Sequence, residues 1–339
     1  MARTVVTLGE LMMRLKPPGK LRLRQAQGFE ICHGGAEANV AVSLAHLGVH
    51  SRFVTTLPEG ELGTQALRFL RTHGVDTASI QRRPGRLGLY FMEEGADYRS
   101  GCVIYDRAGS VFAGMAAEDI DWDEAFENAD WFHMSGITPA LCNGTRILAE
   151  TAINEARRRG IRISIDLNHR ERLWSYGIGA CDVMPAIIAR VDTLIAGRGD
   201  CLACLDMDGK GENGSPEWAA SLSQKVLAAY PNLERFALTI RASASADEHD
   251  WQAFLDTRET QVFSKLYTMK HVVDRVGTGD AFCAGLIYAL LERQPPQDAV
   301  NFGAAANCLK HSIAGDVNEV MVGEVTRLAG TTAFGRLRR

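Results

Sequence analysis

Residues 274–282 read DRVGTGDAF and lead directly into the apolar run CAGLIYALLE, a loop-to-helix junction that gives the strongest indication of the fold. Gly277, Thr278, Gly279 and Asp280 lie at the predicted start of that helix. A helix N-terminus offers unpaired backbone N–H groups and the positive end of the helix dipole, and glycine lets an anion approach them closely. The stretch therefore predicts an anion site at residues 277–279, with phosphate as its natural ligand.

Asp280 admits two interpretations at this position. A carboxylate in the first helical turn, beside a phosphate site, can accept the proton of an attacking sugar hydroxyl as a general base. Alternatively, Asp280 only interacts favourably with the helix dipole, and Gly277 and Gly279 only shape the turn. The junction alone does not separate the two.

A second glycine motif lies near the other end of the chain. Residues 33–41 read HGGAEANVA and open a predicted helix of small and apolar residues at 36–47. Asn39 is its polar candidate, and Gly34 and Gly35 are its conformationally free positions. On its own, the motif also fits a close-packed helix start at which glycine is required for steric reasons.

The two motifs, in this order and at opposite ends of the chain, resemble the ribokinase family of carbohydrate kinases, with its patterns G-G-x-x-x-N-x-A and D-T-x-G-A-G-D-x-F. Arg275 replaces the usual Thr and Thr278 the usual Ala. The resemblance continues through residues 57–74 and 301–317 and so covers nearly the whole chain. It implies an ATP-dependent sugar kinase with Asp280 as general base and the 277–280 amides as anion hole. It also implies that Gly34, Gly35 and Asn39 line the sugar site.

The fold class follows from short β-branched or aromatic runs that alternate with longer segments of helical period. This alternation is typical of an α/β protein, with a central, mostly parallel sheet flanked by helices. We expect one kinase domain over residues 1–339. The predicted strands are 4–8, 130–134, 162–166, 192–196 and 235–240, and the predicted helices are 36–47, 64–73, 144–159, 182–190, 216–230, 279–292, 297–311 and 319–328.

Two regions, about 11–31 and 87–113, interrupt this alternation with short extended runs and Gly or Pro punctuation. We expect them to pair as a small separate sheet that serves as a lid over the site, as an interface for a second subunit, or as both. Exposed edges of a small sheet favour association, so the sequence predicts a homodimer or higher homo-oligomer through this lid.

Three segments resemble the 2-keto-3-deoxygluconate kinases within the family: residues 9–15 (GELMMRL), 104–110 (IYDRAGS) and 166–174 (DLNHRERLW). A sugar acid presents a carboxylate, which a guanidinium binds with two parallel hydrogen bonds, and Arg107 and Arg170 are the candidates. As alternatives, Arg107 is a solvated edge-strand charge and Arg170 a surface ion-pair partner. By resemblance, the sugar acid contacts Gly34, Tyr90, Tyr105, Arg107, Arg170 and Asp316, although both tyrosines also fit as ordinary strand aromatics.

The nucleotide side is predicted mainly by resemblance. Asn168 is expected to face the phosphates, and the strand-end loop 238–245 (LTIRASAS) is expected to lie near the phosphates or ribose through Thr239, Arg241 and Ser243. Asn307 is the candidate adenine contact. The family's N-x-x-E element, associated with magnesium, is GRGD at 197–200 here, which leaves Asp200 as the candidate Mg²⁺ residue beside ATP.

Composition excludes several other classes. The formal net charge is −4, and proteins that bind nucleic acid or anionic membranes need a concentrated excess of Lys and Arg. No apolar run reaches the roughly 20 residues of a bilayer span, and no signal-peptide pattern opens the chain, so we expect a cytoplasmic protein. The eight cysteines fit reduced thiols, and Cys201 and Cys204 lack the further ligands of a zinc site. Residues 335–339 are expected to form a solvated tail.

Two rival functions stay open at this point. The first is a kinase of a neutral sugar such as fructose or ribose, for which Arg107 and Arg170 would have no charge to neutralise. The second is a sugar-binding regulator that kept the fold and lost catalysis, which the altered element at 197–200 allows and the presence of Asp280 disfavours. The sequence does not separate the gluconate from the galactonate epimer.

Overall fold

The computed structural model of the chain describes residues 3–243 and 245–330. The tail at 335–339 and residue 244 of the strand-end loop lie outside the described residues. The strands are β1 (Thr4–Leu8), β2 (Met12–Lys16), β3 (Glu30–Gly34), β4 (His50–Pro58), β5 (Ile80–Arg83), β6 (Leu89–Glu93), β7 (Cys102–Asp106), β8 (Trp131–Ser135), β9 (Arg162–Asp166), β10 (Thr193–Gly197), β11 (Arg235–Ser243), β12 (Glu248–Asp256), β13 (Gln261–Phe263) and β14 (Tyr267–Lys270). The helices are α1 (Ala36–His46), α2 (Glu61–Thr72), α3 (Trp122–Ala125), α4 (Ile137–Ala140), α5 (Asn143–Arg158), α6 (Ala180–Ile188), α7 (Arg198–Leu205), α8 (Pro216–Ala229), α9 (Thr278–Leu291), α10 (Pro296–Lys310) and α11 (Val322–Gly330).

The large sheet has ten strands within the described ranges, in the order β13-β12-β11-β10-β9-β8-β1-β4-β5, with β14 also paired to β12. All neighbours from β5 to β11 are parallel, and β12, β13 and β14 add an antiparallel edge. This confirms the predicted mostly parallel sheet. Because the carboxyl ends of parallel strands meet at one edge of a sheet, side chains that follow β1, β8, β9 and β10 gather there.

Helices cover both faces of this sheet. Successive side chains of a strand point to opposite faces, so Val6 of β1 packs in the core beneath α5, α6 and α8, whereas Val5 packs in the core beneath α1, α9 and α10. Trp131 and Phe132 of β8 divide between the two cores in the same way. Two-sided burial explains why the inner parallel strands β1, β8 and β10 are buried along almost their whole length.

The two irregular regions form the predicted small sheet, with strand order β3-β2-β6-β7. β2 and β3 come from the first region and β6 and β7 from the second, and the parallel pair β2–β6 joins them. β3 runs on to Gly34, so the lid strand leads directly into α1. The small sheet is therefore covalently continuous with the first glycine motif.

Most predicted helices and strands are confirmed within a few residues, and the differences have local causes. α2 begins at Glu61, three residues before the predicted start, because Gly60 with φ 85° lets the chain turn into the helix. α11 begins at Val322 where 319 was predicted. The sequence patterns did not predict β4, β5, the short helices α3 and α4, α7 or the β12–β14 edge. Among the described residues, every helix is too short or too polar to cross a bilayer.

Candidate active site

A cavity of about 700 Å³ lies between the carboxyl edge of the large sheet and the inner face of the small sheet. The lid contributes Met12, Tyr90 and Met92 to its wall, and the loop before α9 contributes residues 275–279. Of the side chains predicted for the site, the cavity brings together Gly35, Asn39, Tyr90, Tyr105, Arg107, Asn168, Arg170, Asp200, Thr239, Arg241, Gly277, Thr278, Gly279, Asp280 and Asp316.

The start of α9 has the geometry of an anion site. Gly277 is the residue before the helix and adopts φ 76°, a left-handed conformation that favours glycine. A side chain there would also collide with the carbonyl oxygen of Asp316, 1.8 Å from the position of a Cβ. Thr278 and Gly279 follow as the first helical residues, so their backbone N–H groups have no partner within the helix. Glycine at 277 is required by both conformation and space.

Asp280 lies in the first turn of α9 and is 9% exposed. Its Oδ2 accepts a hydrogen bond of 2.7 Å from the Asn39 side-chain amide, which joins the two glycine motifs. Burial raises the pKa of Asp280 to about 7, against the opposing effects of the Asn39 hydrogen bond and the positive charge of Arg170. A carboxyl group whose pKa lies near neutrality is suited to accept and release a proton at physiological pH.

Glu37 is a second buried acid in the cavity wall, and the sequence reading missed it. Its Oε1 accepts hydrogen bonds from the Ser135 backbone N–H at 2.9 Å and the Ser135 hydroxyl at 2.7 Å, and Thr138 donates at 3.3 Å. Burial raises its pKa. The Glu37 carboxylate fills the space beside residue 9, which is open because that residue is a glycine. Glu37 thus connects α1 to the ends of β1 and β8.

The lid is tied to the anion site through a buried charge network. Arg14 of β2 donates to Asp274 and to Asp316, each at 2.8 Å, with all three side chains almost fully buried. The Tyr90 hydroxyl of β6 donates to the other oxygen of Asp316. Asp274 in turn accepts from the Val276 backbone N–H at 3.0 Å. The network fixes the position of the loop before α9 relative to two lid strands.

Arg107 is buried, so the alternative that it is a solvated edge-strand charge is wrong. Its side chain is only 8% exposed and forms an ion pair with Glu10, whose carboxylate accepts from the Arg107 Nε at 2.7 Å. The guanidinium also lies 5.7 Å from the ring centroid of Tyr105. Glu10 was not anticipated, although it follows the end of β1, where side chains of a parallel sheet meet ligands. The charge of Arg107 is already neutralised within the protein.

Unlike Arg107, Arg170 has no acid in the described chain that neutralises its charge. It follows β9, is exposed to the cavity and forms no ion pair with any carboxylate in the described ranges. The same loop holds Asn168, whose φ of 37° is unusual for a residue with a side chain. Arg170 is thus the better placed of the two predicted arginines to meet an anionic ligand.

Three predicted residues do not line the cavity. Gly34 lies behind it, with the Asp316 carboxylate in the space that a side chain would need. Ser243 lines an adjacent cavity of about 520 Å³, because β11 continues to Ser243 and does not turn at residue 240 as predicted. Asn307 is fully buried, and its amide donates to the Thr278 carbonyl oxygen at 2.8 Å. It therefore supports the first turn of α9 from behind.

The candidate metal residue Asp200 lines the cavity, but its oxygens are engaged. Oδ1 accepts from the His169 backbone N–H at 2.8 Å, and Oδ2 accepts from the Gly197 N–H at 2.7 Å as a cap of α7. Asp166, at the end of β9, is close by and was not predicted. Burial, together with the charges of Asp200 and Asp280, raises the pKa of Asp166 to about 8. Nowhere in residues 3–243 and 245–330 do three or more such ligands form a metal cluster.

A helix N-terminus open to an anion, a carboxylate in its first turn and a small sheet above them fit a phosphotransferase site. The family model described as pfkB family carbohydrate kinase matches residues 2–318. The chain belongs to this family of carbohydrate kinases.

Several relatives resemble the chain over nearly its full length. A 2-dehydro-3-deoxygalactonokinase of Haloferax volcanii is 32% identical, over 97% of this chain and 97% of the relative. A 2-dehydro-3-deoxygluconokinase of Bacillus subtilis is 27% identical, over 92% and 91%. The crystal structure of 2-dehydro-3-deoxygluconokinase from Thermotoga maritima is 40% identical, covers 97% of this chain and 100% of that chain, and superimposes with a TM-score of 0.93.

Proposed function

We propose that the protein transfers a phosphoryl group from ATP to a hydroxyl of a 2-keto-3-deoxy sugar acid, and that the reaction converts 2-keto-3-deoxygluconate to its 6-phosphate. The observation that carries the proposal is the Asp280 carboxylate, held by Asn39 at the open N-terminus of α9, in one cavity with the unpaired Arg170. The names of the relatives support the substrate class and include both the gluconate and the galactonate acid.

The chemical roles follow from the positions of the groups. The amides of residues 277–280 face the transferring phosphoryl group and stabilise its negative charge. Asp280 accepts the proton of the attacking hydroxyl, and Asn39 holds the carboxylate in place. Gly34 and Gly35 let the Asp316 carboxylate and the Glu10 carbonyl approach the start of α1 closely, so Gly34 acts on the sugar pocket only from behind. Tyr90, Tyr105 and Asp316 form the lid side of that pocket. Asn168, Thr239 and Arg241 face the nucleotide. Ser243 lies in the adjacent cavity, and Asn307 acts only indirectly, through its hydrogen bond to the Thr278 carbonyl oxygen.

The donor set of the cavity wall fits magnesium. Mg²⁺ in kinases is held by one or two carboxylates together with phosphates and waters, so a cluster of three protein ligands is not required. Asp166 and Asp200 are two such carboxylates, close enough for the charge of Asp200 to raise the pKa of Asp166. The Asp166 oxygens accept a 3.1 Å hydrogen bond from the Asn168 backbone N–H and a long 3.6 Å contact from the Cys283 thiol, both weaker than the bonds to Asp200. Asp166 would therefore hold the ion, with Asp200 behind it. When bound, Mg²⁺ neutralises charge on the phosphates.

The sugar acid is favoured through Arg170, since Glu10 already neutralises Arg107. A guanidinium that lacks a carboxylate in the protein gains one from an acidic substrate. The ion pair of Arg107 is also the observation that favours the rival, a neutral sugar such as fructose or ribose, because one of the two charges first assigned to the substrate is not free.

A turnover assay on a panel of purified substrates tests the proposal. The panel contains 2-keto-3-deoxygluconate, its galactonate epimer, fructose and ribose, with ADP production as the readout. We expect the two acids to be phosphorylated and the neutral sugars to be poor substrates. Turnover of a neutral sugar at a higher kcat/KM than either acid would replace the substrate class. Binding of an acid without turnover would instead support the non-catalytic regulator.

We further infer that the whole chain acts as one kinase domain in the cytoplasm and that it forms a homodimer through the lid. Leu15 and Ile31 are partners across β2 and β3, Leu15 pairs with Phe91, and Phe91 pairs with Ile104. This apolar row crosses all four lid strands on the face away from the cavity, and its outer members are 54% and 49% exposed. An exposed apolar sheet face of this kind is typical of a subunit contact.

A further inference from the structure

Arg275 occupies a position where the family pattern usually has a threonine, and nothing assigned so far uses its charge. Its side chain is half-buried at the edge of the cavity. The Nη2 group donates to the Ser245 carbonyl oxygen at 2.8 Å and to the His249 Nδ1 at 2.6 Å. Desolvation and the charge of Arg275 lower the pKa of His249, so this imidazole is a neutral acceptor. Arg275 is therefore held in place by two uncharged groups.

The guanidinium has unused hydrogen-bonding capacity. Its Nε is buried and has no partner in the described part of the chain, and no ion pair joins Arg275 to a described carboxylate. Elsewhere in the protein, buried arginines are matched by acids: Arg14 by Asp274 and Asp316, and Arg107 by Glu10. The acid whose charge acts on Arg275 is Asp247, which lies beyond ion-pair distance and is already paired with Lys20. Arg275 therefore departs from that pattern.

A second arginine lies close to the first. Arg241, near the end of β11, lines the same cavity and likewise forms no ion pair within residues 3–243 and 245–330. Desolvation, followed by the positive charges of Arg275 and Arg170, lowers the pKa of Arg241. Like charges that approach each other without a counter-ion are unfavourable in the free protein, and a bound anion relieves the repulsion.

The position of the pair selects the anion. Arg275 precedes Gly277 by two residues, and Arg241 follows Thr239 by two residues on β11, so both border the wall assigned to the nucleotide. Glu10 is paired with Arg107, Asp316 with Arg14, and Glu37 accepts from Ser135, so none of these three acids offsets the two guanidiniums. A ligand that spans from the α9 N-terminus to both guanidiniums has to carry several negative charges along an extended chain. The phosphate chain of a nucleoside triphosphate has this form.

We propose that Arg275 and Arg241 bind the phosphate chain of the nucleotide and neutralise part of its charge, with Arg170 at the junction to the sugar. The proposal rests on the function proposed above. It also accounts for the altered element at 197–200. Two guanidiniums, of which that of Arg275 is held by Ser245 and His249, supply positive charge where the usual acidic metal-handling residue is shortened and engaged by backbone N–H groups.

Nucleotide binding to the full chain tests this, with affinities for ATP, ADP and AMP measured by calorimetry. We expect Arg275→Gln to weaken ATP roughly 10-fold or more, ADP less, and AMP by no more than about twofold. Arg241→Gln should show the same order, and Arg275→Lys should retain part of the affinity because it keeps a positive charge. Arg68→Gln removes an exposed charge on α2, away from the cavity, and should leave all three affinities unchanged.

Two results would overturn the proposal: ATP affinity within about twofold of wild type in both glutamine variants, or equal losses for AMP and ATP, which would indicate a structural effect. A failure of the proposed function has a different signature. If the sugar panel gives no turnover while the two glutamine variants still weaken ATP more than ADP and ADP more than AMP, the phosphate site stands and the substrate assignment falls. A wild-type protein that binds no nucleotide would remove both.

Discussion

The side-chain amide of Asn39 donates a 2.7 Å hydrogen bond to Oδ2 of Asp280, across 241 residues of sequence. This contact joins α1, which follows the lid, to α9, which carries the anion site. A carboxylate held at one oxygen presents the other in a fixed direction, which suits a base that has to meet a single substrate hydroxyl. The geometry of the Asn39–Asp280 pair thus depends on the packing of α1 against α9.

Asp280→Asn is expected to lower kcat by roughly 100-fold or more, the usual loss when a general base is removed, and to leave ATP affinity within several-fold of wild type. The amide is nearly isosteric but cannot accept the proton. Steady-state kinetics and nucleotide binding on the purified variant provide the check, with circular dichroism as the control for folding. Wild-type turnover would remove Asp280 from the catalytic role.

The pH dependence of kcat/KM should report the same carboxyl group. Asp280 has to be ionised to act as a base, and its pKa is raised to about 7, so the rate should rise with pH and level off above that value. The Asn39 hydrogen bond lowers this pKa, so Asn39→Ala should move the acidic limb to higher pH. A profile whose acidic limb does not move in Asn39→Ala would argue against the assignment.

Asp280 should cost the protein stability at the pH where it works. Its pKa in the folded state is about 7, against 3.8 for the ordinary carboxyl, so the folded form retains a proton that the unfolded form releases. Stability therefore falls as pH rises between these two values and stays reduced above them. Asp280→Asn removes this penalty and should raise Tm at about pH 8 but not near pH 4. Thermal unfolding at both values tests the sign, and an equal shift at the two would contradict it.

The lid row predicts the oligomeric state. Ile31→Asp combined with Ile104→Asp places charges at both ends of the apolar row, and we expect a dimer to become a monomer by light scattering. Leu62→Asp is the matched control, because Leu62 is 52% exposed on α2, outside the lid. A wild-type protein that is monomeric and fully active at micromolar concentration would refute the interface.

The sequence predicted the fold where local patterns carry the information. The α9 junction, the glycine motif before α1 and the regular alternation of strands and helices were all readable. β4 was missed because its nine residues, almost all buried, include Ser51, Arg52, Thr55 and Thr56, and buried polar residues hide a strand from an apolar pattern. The antiparallel edge was missed because β12 opens with three polar residues, Glu248, His249 and Asp250, which hide the strand in the same way.

Site residues that lie in a sequence motif were predictable. Residues whose role depends on a partner far away along the chain were missed. Asp280 and Asn39 both lie in motifs. The partners of Arg14 lie 260 and 302 residues away, and Glu10 meets Arg107 across 97 residues, so no spacing rule connects them. Asp166 and Glu10 carried one usable signal, because both are acids at or just after the carboxyl end of a parallel strand.

The choice between a sugar acid and a neutral sugar depends on Arg170. Its guanidinium has no carboxylate partner in the described chain, so an acidic substrate supplies one, whereas a neutral ketose of similar length gains nothing from it. Arg170→Ala should lower kcat/KM for the acid by a factor that corresponds to about 2 kcal/mol of transition-state stabilisation. Arg170→Lys should lower it by less, because lysine keeps the positive charge. It should still fall below wild type, because an ammonium cannot form the planar two-point contact. The rate with fructose should fall less than the rate with the acid in either variant, because fructose has no carboxylate contact to lose.

The decisive quantity is the ratio of kcat/KM for 2-keto-3-deoxygluconate over fructose, because general damage to the site cancels in it. Arg170 also borders Arg241 and lowers the pKa of Asp280, so its loss affects nucleotide and base for both sugars alike. Only the contact with the carboxylate is specific to the acid. We expect the ratio to fall roughly 10-fold or more in Arg170→Ala and to stay near the wild-type value in Arg172→Ala, a neighbouring exposed arginine of the same cavity. An unchanged ratio in Arg170→Ala would mean that the carboxylate is recognised elsewhere, and Arg107 with its partner Glu10 would then be the next pair to exchange.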